Sequence, residues 1–168
     1  MVNNDEFYTV RGYEILKQEK EVLTSSMEDY LEMIYRYYEK EGYIRINILA
    51  DLLNVQASSA TKVVQKLSSV GLVDYQKYGA VKLTERGEEI GSFLLKRHKA
   101  IEIFLKNLGV EENILMDTEM IEHGISVETL NSILLFNQFF DQHPEIVDLY
   151  YEFRKKNNIP LSGDAFIL

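Results

Sequence analysis

The chain has 168 residues, with 27 acidic and 18 basic side chains, a formal net charge of −9 and no cysteine. The absence of cysteine excludes a disulfide scaffold, a zinc finger and a thiol nucleophile, so a bound metal would need carboxylate, imidazole, carbonyl or water ligands. No run approaches the roughly 18 consecutive apolar residues of a membrane span, and the first residues, MVNNDEFYTVRG, are too polar for a signal peptide, so we expect a cytoplasmic protein with no membrane partner.

The chain opens with a polar extension, residues 1–24, whose scattered apolar side chains suggest a short amphipathic helix. Ser25 and Glu28 then have the spacing of a capping box, and apolar residues follow at helical spacing. This pattern predicts a helix over residues 26–40.

Two short helices and a hairpin are predicted next. The first helix runs from Ile44 to Leu53, and the second begins near Ala57 and ends at Gly71. Two β-rich runs on either side of residues 77–80 then read as a hairpin. Two helices joined by a tight break and followed by a hairpin are typical of a winged helix-turn-helix.

The second half of the chain is predicted to be entirely helical. Thr84 is placed to cap a long helix over about residues 85–107. A short helix is expected to start near Asp117, and a longer one near Ser126. Because the helix that starts near Ser126 is apolar on more than one face, it suits either a subunit interface or the interior of one subunit.

The negative net charge argues against nucleic acid until it is resolved by segment. Between Tyr43 and Arg86 there are six basic and three acidic residues, a net +3, so the remainder carries −12. Helix-turn-helix units can also be purely structural or bind proteins, but the local positive charge favours DNA. The expected DNA contacts are Gln56, Ser58, Ser59, Thr61, Lys62, Gln65, Lys66, Lys77, Tyr78 and Lys82.

Carboxylates and imidazoles recur at helical spacing in two places, and a further histidine stands alone between them. The residues are Asp29, Glu32, His98, Glu119, Glu122 and His123. Singly, each has an ordinary explanation as a partner of a helix dipole, a buried histidine or a solvated face. Together, four carboxylates need a compensating cation, and oxygen and nitrogen donors suit a divalent ion such as Mn²⁺ or Fe²⁺.

Five ordered segments closely resemble the DtxR/MntR family of metal-dependent transcriptional repressors, and within it the manganese-responsive members. The segments are SSMEDYLEMIY (25–35), SSATKVVQKL (58–67), KYGAVKLTERGEEIG (77–91), LLKRHKAIEIFL (94–105) and TEMIEHGIS (118–126). The resemblance implies a mainly α protein, with an N-terminal winged helix-turn-helix bearing a two-stranded β wing and an all-helical dimerisation domain after it. The implied boundaries are 1–24 for the extension, 25–84 for the DNA-binding domain, 85–108 for a linking helix, 109–143 for metal binding and dimerisation, and 144–168 for a C-terminal helix and tail.

The resemblance also implies a function. The six carboxylate and imidazole residues named above match the ligands of a binuclear manganese site, so two Mn²⁺ per subunit are expected, with Fe²⁺ and then Zn²⁺ as alternatives. Iron-responsive members carry Met in place of Asp29 and Cys in place of Glu122, and oxygen at both positions favours Mn²⁺. We therefore expect a homodimeric repressor of metal-ion uptake genes that binds double-stranded operator DNA with Mn²⁺ as corepressor. The alternatives are an iron-responsive or metal-independent winged-helix regulator and a dinuclear metal enzyme; the ligands straddle a DNA-binding module, so we expect no enzyme.

Overall fold

The computed structural model describes residues 23–76 and 79–157. The chain divides into two compact units, one ending at Lys96 and the other beginning at Arg97. Residues 1–22 of the predicted extension, the predicted contacts Lys77 and Tyr78, and the tail after residue 157 lie outside the described residues.

The first unit is a winged helix-turn-helix, as predicted. Its elements are α1 (Ser25–Glu41), β1 (Ile44–Arg45), α2 (Ile46–Leu52), α3 (Ala57–Ser69), β2 (Val73–Tyr75), β3 (Ala80–Leu83) and the first part of α4 (Glu85–Asn107). The strands form an antiparallel sheet in the order β1-β3-β2. Fully buried aliphatic side chains from the helices and the sheet form one core: Leu31, Ile34, Ile44, Leu49, Val64, Leu67, Leu72 and Val81.

The prediction for residues 44–53 is wrong at its start, because Ile44 and Arg45 form a strand rather than the first turn of a helix. Ile44 pairs with Val81 and Arg45 with Ala80. The wing was predicted to have two strands, and this pairing adds a third. The exposed Arg45 between two buried isoleucines also fits the alternation of a strand.

The starts of α1, α3 and α4 lie within one residue of their predicted positions, and the cap of α1 differs from the prediction. The α1 cap is Thr24 rather than Ser25, and the Thr24 hydroxyl accepts a hydrogen bond from the Met27 amide at 3.3 Å. Thr84 caps α4 as predicted, because its hydroxyl accepts from the Gly87 amide at 3.1 Å.

Two glycines hold the first part of α4 against the rest of the first unit. A Cβ at Gly87 would collide with the carbonyl oxygen of Leu72, and one at Gly91 would lie 2.7 Å from Tyr35 Cβ. Burial raises the pKa of the Tyr35 phenol. The close approach fixes α4 to the rest of the first unit at least through residue 91.

The second unit is all-helical in its described residues. It contains the remainder of α4, then α5 (Ile114–Glu122), α6 (Val127–Gln142) and α7 (Pro144–Lys156). The short helix α5 begins three residues before the predicted start at Asp117. Ser126 caps α6, where its hydroxyl accepts from the Thr129 amide at 3.1 Å.

Helix α6 has two apolar faces, and the structure treats them differently. Leu130 and Ile133 are buried in the unit, whereas Leu135 is 68% and Phe139 46% exposed. Within the described structure, one apolar face of α6 is therefore buried and the other is exposed.

Helix α7 packs against the end of α4. The Tyr151 hydroxyl donates to the Lys106 carbonyl at 2.9 Å, the Tyr150 hydroxyl donates to the Leu108 carbonyl at 3.3 Å, and the Arg154 guanidinium also donates to Leu108. These bonds hold α7 to carbonyls at and just beyond the C-terminus of α4, where the Lys106 carbonyl also accepts from the Gly109 amide at 2.8 Å. No helix in the described part of the chain has the length and hydropathy needed to cross a bilayer.

Candidate metal centre and DNA-binding surface

A histidine and a carboxylate of the second unit lie in contact, and both are buried. His98 on α4 and Glu122 at the end of α5 place Nδ1 and Oε2 3.1 Å apart, although the residues are 24 positions apart in sequence. His98 is 6% exposed and Glu122 3%. His123 follows directly, with Nε2 3.9 Å from the second oxygen of Glu122. The structure therefore brings three of the six predicted ligands together in this unit.

The last turn of α5 positions these donors. Thr118, one turn before Glu122, is fully buried, and its hydroxyl donates to the Ile114 carbonyl of the same helix at 2.7 Å. Glu119 lies exposed three residues before Glu122. The chemistry fits a divalent cation, because a carboxylate taken out of water needs a positive partner and imidazole and carboxylate donors suit Mn²⁺, Fe²⁺ or Zn²⁺.

The other two predicted ligands lie in the first unit, on α1. Asp29 is exposed, and Glu32 is 6% exposed. Their spacing of three residues places both carboxylates on one side of the helix.

Arg36, which was not predicted, forms an ion pair with Glu32. Its Nε donates to Glu32 Oε1 at 2.9 Å, and its Nη2 donates to the same oxygen. The signal was present in the sequence, because Glu and Arg four residues apart on a helix are placed to pair.

Helix α3 presents the polar face expected of a recognition helix. Of its predicted contacts, Ser58, Ser59, Lys62, Gln65 and Lys66 are exposed. Thr61 is half-buried, and its hydroxyl donates to the Ala57 carbonyl at 2.8 Å.

Two further predicted contacts border this face. Gln56 occupies the N-cap position of α3 and is exposed, with no capping hydrogen bond from its side chain. On the wing, Lys82 of β3 is exposed and pairs in register with Asp74 of β2.

Comparison with known proteins finds two family matches that together cover most of the chain. The iron dependent repressor N-terminal DNA binding domain matches residues 22–81. The iron dependent repressor metal binding and dimerisation domain matches residues 84–147.

Individual relatives are similar to the chain over most of their own length. The HTH-type transcriptional regulator MntR of Shouchella clausii is 41% identical over 138 residues, which cover 82% of this chain and 96% of the relative. The regulator of the same name from Oceanobacillus iheyensis is 44% identical over 128 residues, covering 75% of this chain and 87% of the relative.

A solved structure of the manganese regulator SloR is also similar, with 33% identity and a TM-score of 0.58. The likeness covers 68% of this chain, and the chain spans only 55% of the SloR chain.

Proposed function

Because the chain belongs to the iron-dependent repressor family in both its DNA-binding and its metal-binding and dimerisation domains, it is a metal-responsive DNA-binding transcriptional regulator, and we propose that its metal is manganese. In this proposal, a homodimer binds double-stranded operator DNA and represses metal-ion uptake genes when Mn²⁺ is bound. The buried pair of His98 and Glu122 beside His123 is the observation that carries the metal response.

The proposed manganese ligands are those predicted from the sequence. They are Asp29 and Glu32 in the first unit and His98, Glu119, Glu122 and His123 in the second, and they would hold two ions per subunit. Every donor is oxygen or nitrogen, and the relatives named MntR and the manganese regulator SloR share the sequence of this chain at 33–44% identity. The absence of sulfur favours Mn²⁺ over Fe²⁺ and Zn²⁺.

The proposed DNA surface is the exposed face of α3 together with the wing. Lys62, Lys66 and Lys82 would contact phosphates, and the hydroxyls of Ser58 and Ser59 are suited to the same task. Because these contacts carry little base information, sequence-dependent DNA shape would supply part of the specificity. The roles of Gln56, Thr61, Gln65, Lys77 and Tyr78, and the domain boundaries 25–84, 85–108 and 109–143, stay predictions.

The proposed regulation follows from where the ligands belong in the chain. Asp29 and Glu32 sit on α1 of the unit that carries α3, and Glu122 and His123 sit in the unit that contains the dimerisation domain. Bound manganese would supply positive charge that offsets the carboxylates. Ligands drawn from both units would make the placement of α3 depend on metal, and two α3 helices in a dimer must reach major grooves about 34 Å apart. If metal binds more tightly to the state in which the α3 helices are placed for DNA, then metal raises the affinity for DNA.

The test is DNA binding with and without metal. A fluorescent duplex recovered by selection from a random pool is titrated with full-length protein in chelator, in Mn²⁺, in Zn²⁺ and, without oxygen, in Fe²⁺. We expect Mn²⁺ to raise the affinity at least about tenfold, within the usual range of allosteric coupling. Equal affinities in chelator and in Mn²⁺ would contradict a metal-dependent regulator.

The three histidines of the chain provide a matched control. His123→Ala removes a proposed ligand and should abolish the effect of Mn²⁺ on DNA affinity. His143→Ala removes an exposed imidazole at the junction of α6 and α7 and should leave the effect unchanged. Loss of the response in both variants would assign it to something other than the proposed site.

A further inference from the structure

The carboxylate of Glu32 is paired with a cationic side chain of the same helix. Arg36 lies one helical turn further along α1, and both its Nε and its Nη2 donate to Glu32 Oε1. The side chain of Glu32 is 8% exposed, whereas that of Arg36 is 36% exposed. A buried carboxylate is therefore paired with a guanidinium that still has access to water.

This geometry has two consequences for a carboxylate that also binds metal. The guanidinium lowers the energy of the charged carboxylate in the metal-free protein, since removing one partner of a buried pair leaves the other charge poorly compensated. The guanidinium and a divalent cation also compete for the same carboxylate, because both are attracted to its oxygens and repel each other. The half-exposed position of Arg36 lets the guanidinium move into solvent at little cost.

We propose that Arg36 is an internal counter-ion for Glu32 that metal displaces, so that Arg36 weakens metal binding and sets the concentration at which the regulator responds. The inference rests on the proposed function, because it takes Glu32 to be a metal ligand. It concerns the affinity for the metal rather than the identity of the ligands. A sensor needs an affinity matched to the free metal concentration, and a competing cation in the chain lowers the affinity without removing a ligand.

The test is the Arg36→Gln variant of the full-length protein, measured by isothermal titration with Mn²⁺ and by thermal unfolding with and without Mn²⁺. Glutamine keeps the length and polarity of the side chain and removes its charge. We expect Mn²⁺ to bind about tenfold more tightly to the variant, which corresponds to about 1.4 kcal/mol. The Tm of the metal-free protein should fall, and the Tm at saturating Mn²⁺ should stay close to that of the wild type.

Two further variants make the result specific. Arg36→Lys retains a cation and should bind Mn²⁺ more like the wild type than Arg36→Gln does. Lys106→Gln breaks a different ion pair at the same helical spacing, Lys106 Nζ to Glu102 Oε1 at 2.6 Å, and should leave the Mn²⁺ affinity within twofold.

Other outcomes overturn the proposal. If Arg36→Gln lowers the Tm equally with and without Mn²⁺, the pair is only structural. If the variant binds Mn²⁺ more weakly, Arg36 supports the bound metal instead of competing with it. If the wild type neither binds Mn²⁺ nor gains stability from it, the proposed function fails first, and this inference fails with it.

Discussion

Asp29 is the residue at which the choice of metal can be tested most directly. In the iron-responsive members that this chain resembles, Met stands at this position, and a thioether is a softer ligand than a carboxylate. We expect Asp29→Met to weaken Mn²⁺ binding by about tenfold or more, since loss of even an outer partner that orients a ligand typically costs 10–100-fold in metal affinity. The effect on Fe²⁺ should be smaller. Isothermal titration with each metal, in the absence of oxygen for Fe²⁺, measures the ratio of the Mn²⁺ and Fe²⁺ affinities.

The neighbouring carboxylate supplies the control for this change. Glu28→Met changes charge and polarity in the same turn of α1, and Glu28 is not a proposed ligand. Its Mn²⁺ to Fe²⁺ affinity ratio should equal that of the wild type. A ratio that shifts equally in both variants would mean that the charge of α1, and not a ligand at position 29, governs selectivity.

Sequence patterns identified candidate ligands but not their contacts. Glu119, Glu122 and His123 share a helical repeat, so their proximity could be predicted locally. The contact between His98 and Glu122 joins residues 24 positions apart, and no local pattern predicts it. His98 entered the set only as an isolated histidine on the long helix, and the family resemblance then matched it to a ligand. Arg36 was overlooked although its spacing from Glu32 was visible, because a single ion pair on a helix is common and rarely marks a site.

Among the elements, helices were predicted better than the strand β1. The apolar repeat and the capping residues fix α1, α3 and α4 locally, so their spans were predicted within a few residues. The two residues Ile44 and Arg45 form a strand only because β3 lies beside them. Their partner Val81 is distant in sequence, and a run this short carries no periodicity that separates strand from helix.

Helix α4 contains a glycine whose role is steric. In an exposed helix interior, replacing glycine with alanine stabilises by up to about 1 kcal/mol. At Gly87 the same replacement should destabilise the protein, because the new Cβ meets the backbone carbonyl of Leu72, which cannot move aside as a flexible side chain can. We expect Gly87→Ala to lower the free energy of unfolding by about 2–3 kcal/mol, the scale of overpacking a closely packed contact. Urea unfolding followed by circular dichroism measures the change.

Gly124 is the matched control for Gly87. A Cβ there would have only an ordinary contact, 3.8 Å from the carbonyl oxygen of Ile121. Gly124→Ala should therefore alter the free energy of unfolding by no more than about 0.5 kcal/mol, as for a typical surface change. Equal destabilisation by both substitutions would show that the contact between α4 and Leu72 is not what Gly87 provides.

For the whole molecule, the uneven distribution of charge matters more than the total. A net +3 lies between Tyr43 and Arg86, and −12 is carried by the remaining residues. The acidic remainder includes all four proposed metal-binding carboxylates. Because DNA is a polyanion, bound divalent ions would also reduce the repulsion between DNA and the acidic part of the protein. Under the proposed function, charge would therefore be a second route, besides ordering, by which metal favours DNA binding.

Coupling between metal and DNA must be equal in both directions. If Mn²⁺ raises the affinity for the selected duplex by a given factor, the duplex must raise the affinity for Mn²⁺ by the same factor, because the two routes share their end states. We expect this factor to be about tenfold or more, measured by Mn²⁺ titration with and without saturating duplex. A duplex of the same composition in scrambled order should raise the Mn²⁺ affinity less, since its contribution comes from charge alone. A large effect of Mn²⁺ on DNA binding without the reciprocal effect would show that Mn²⁺ acts through association of the protein rather than through a site coupled to the DNA-binding unit.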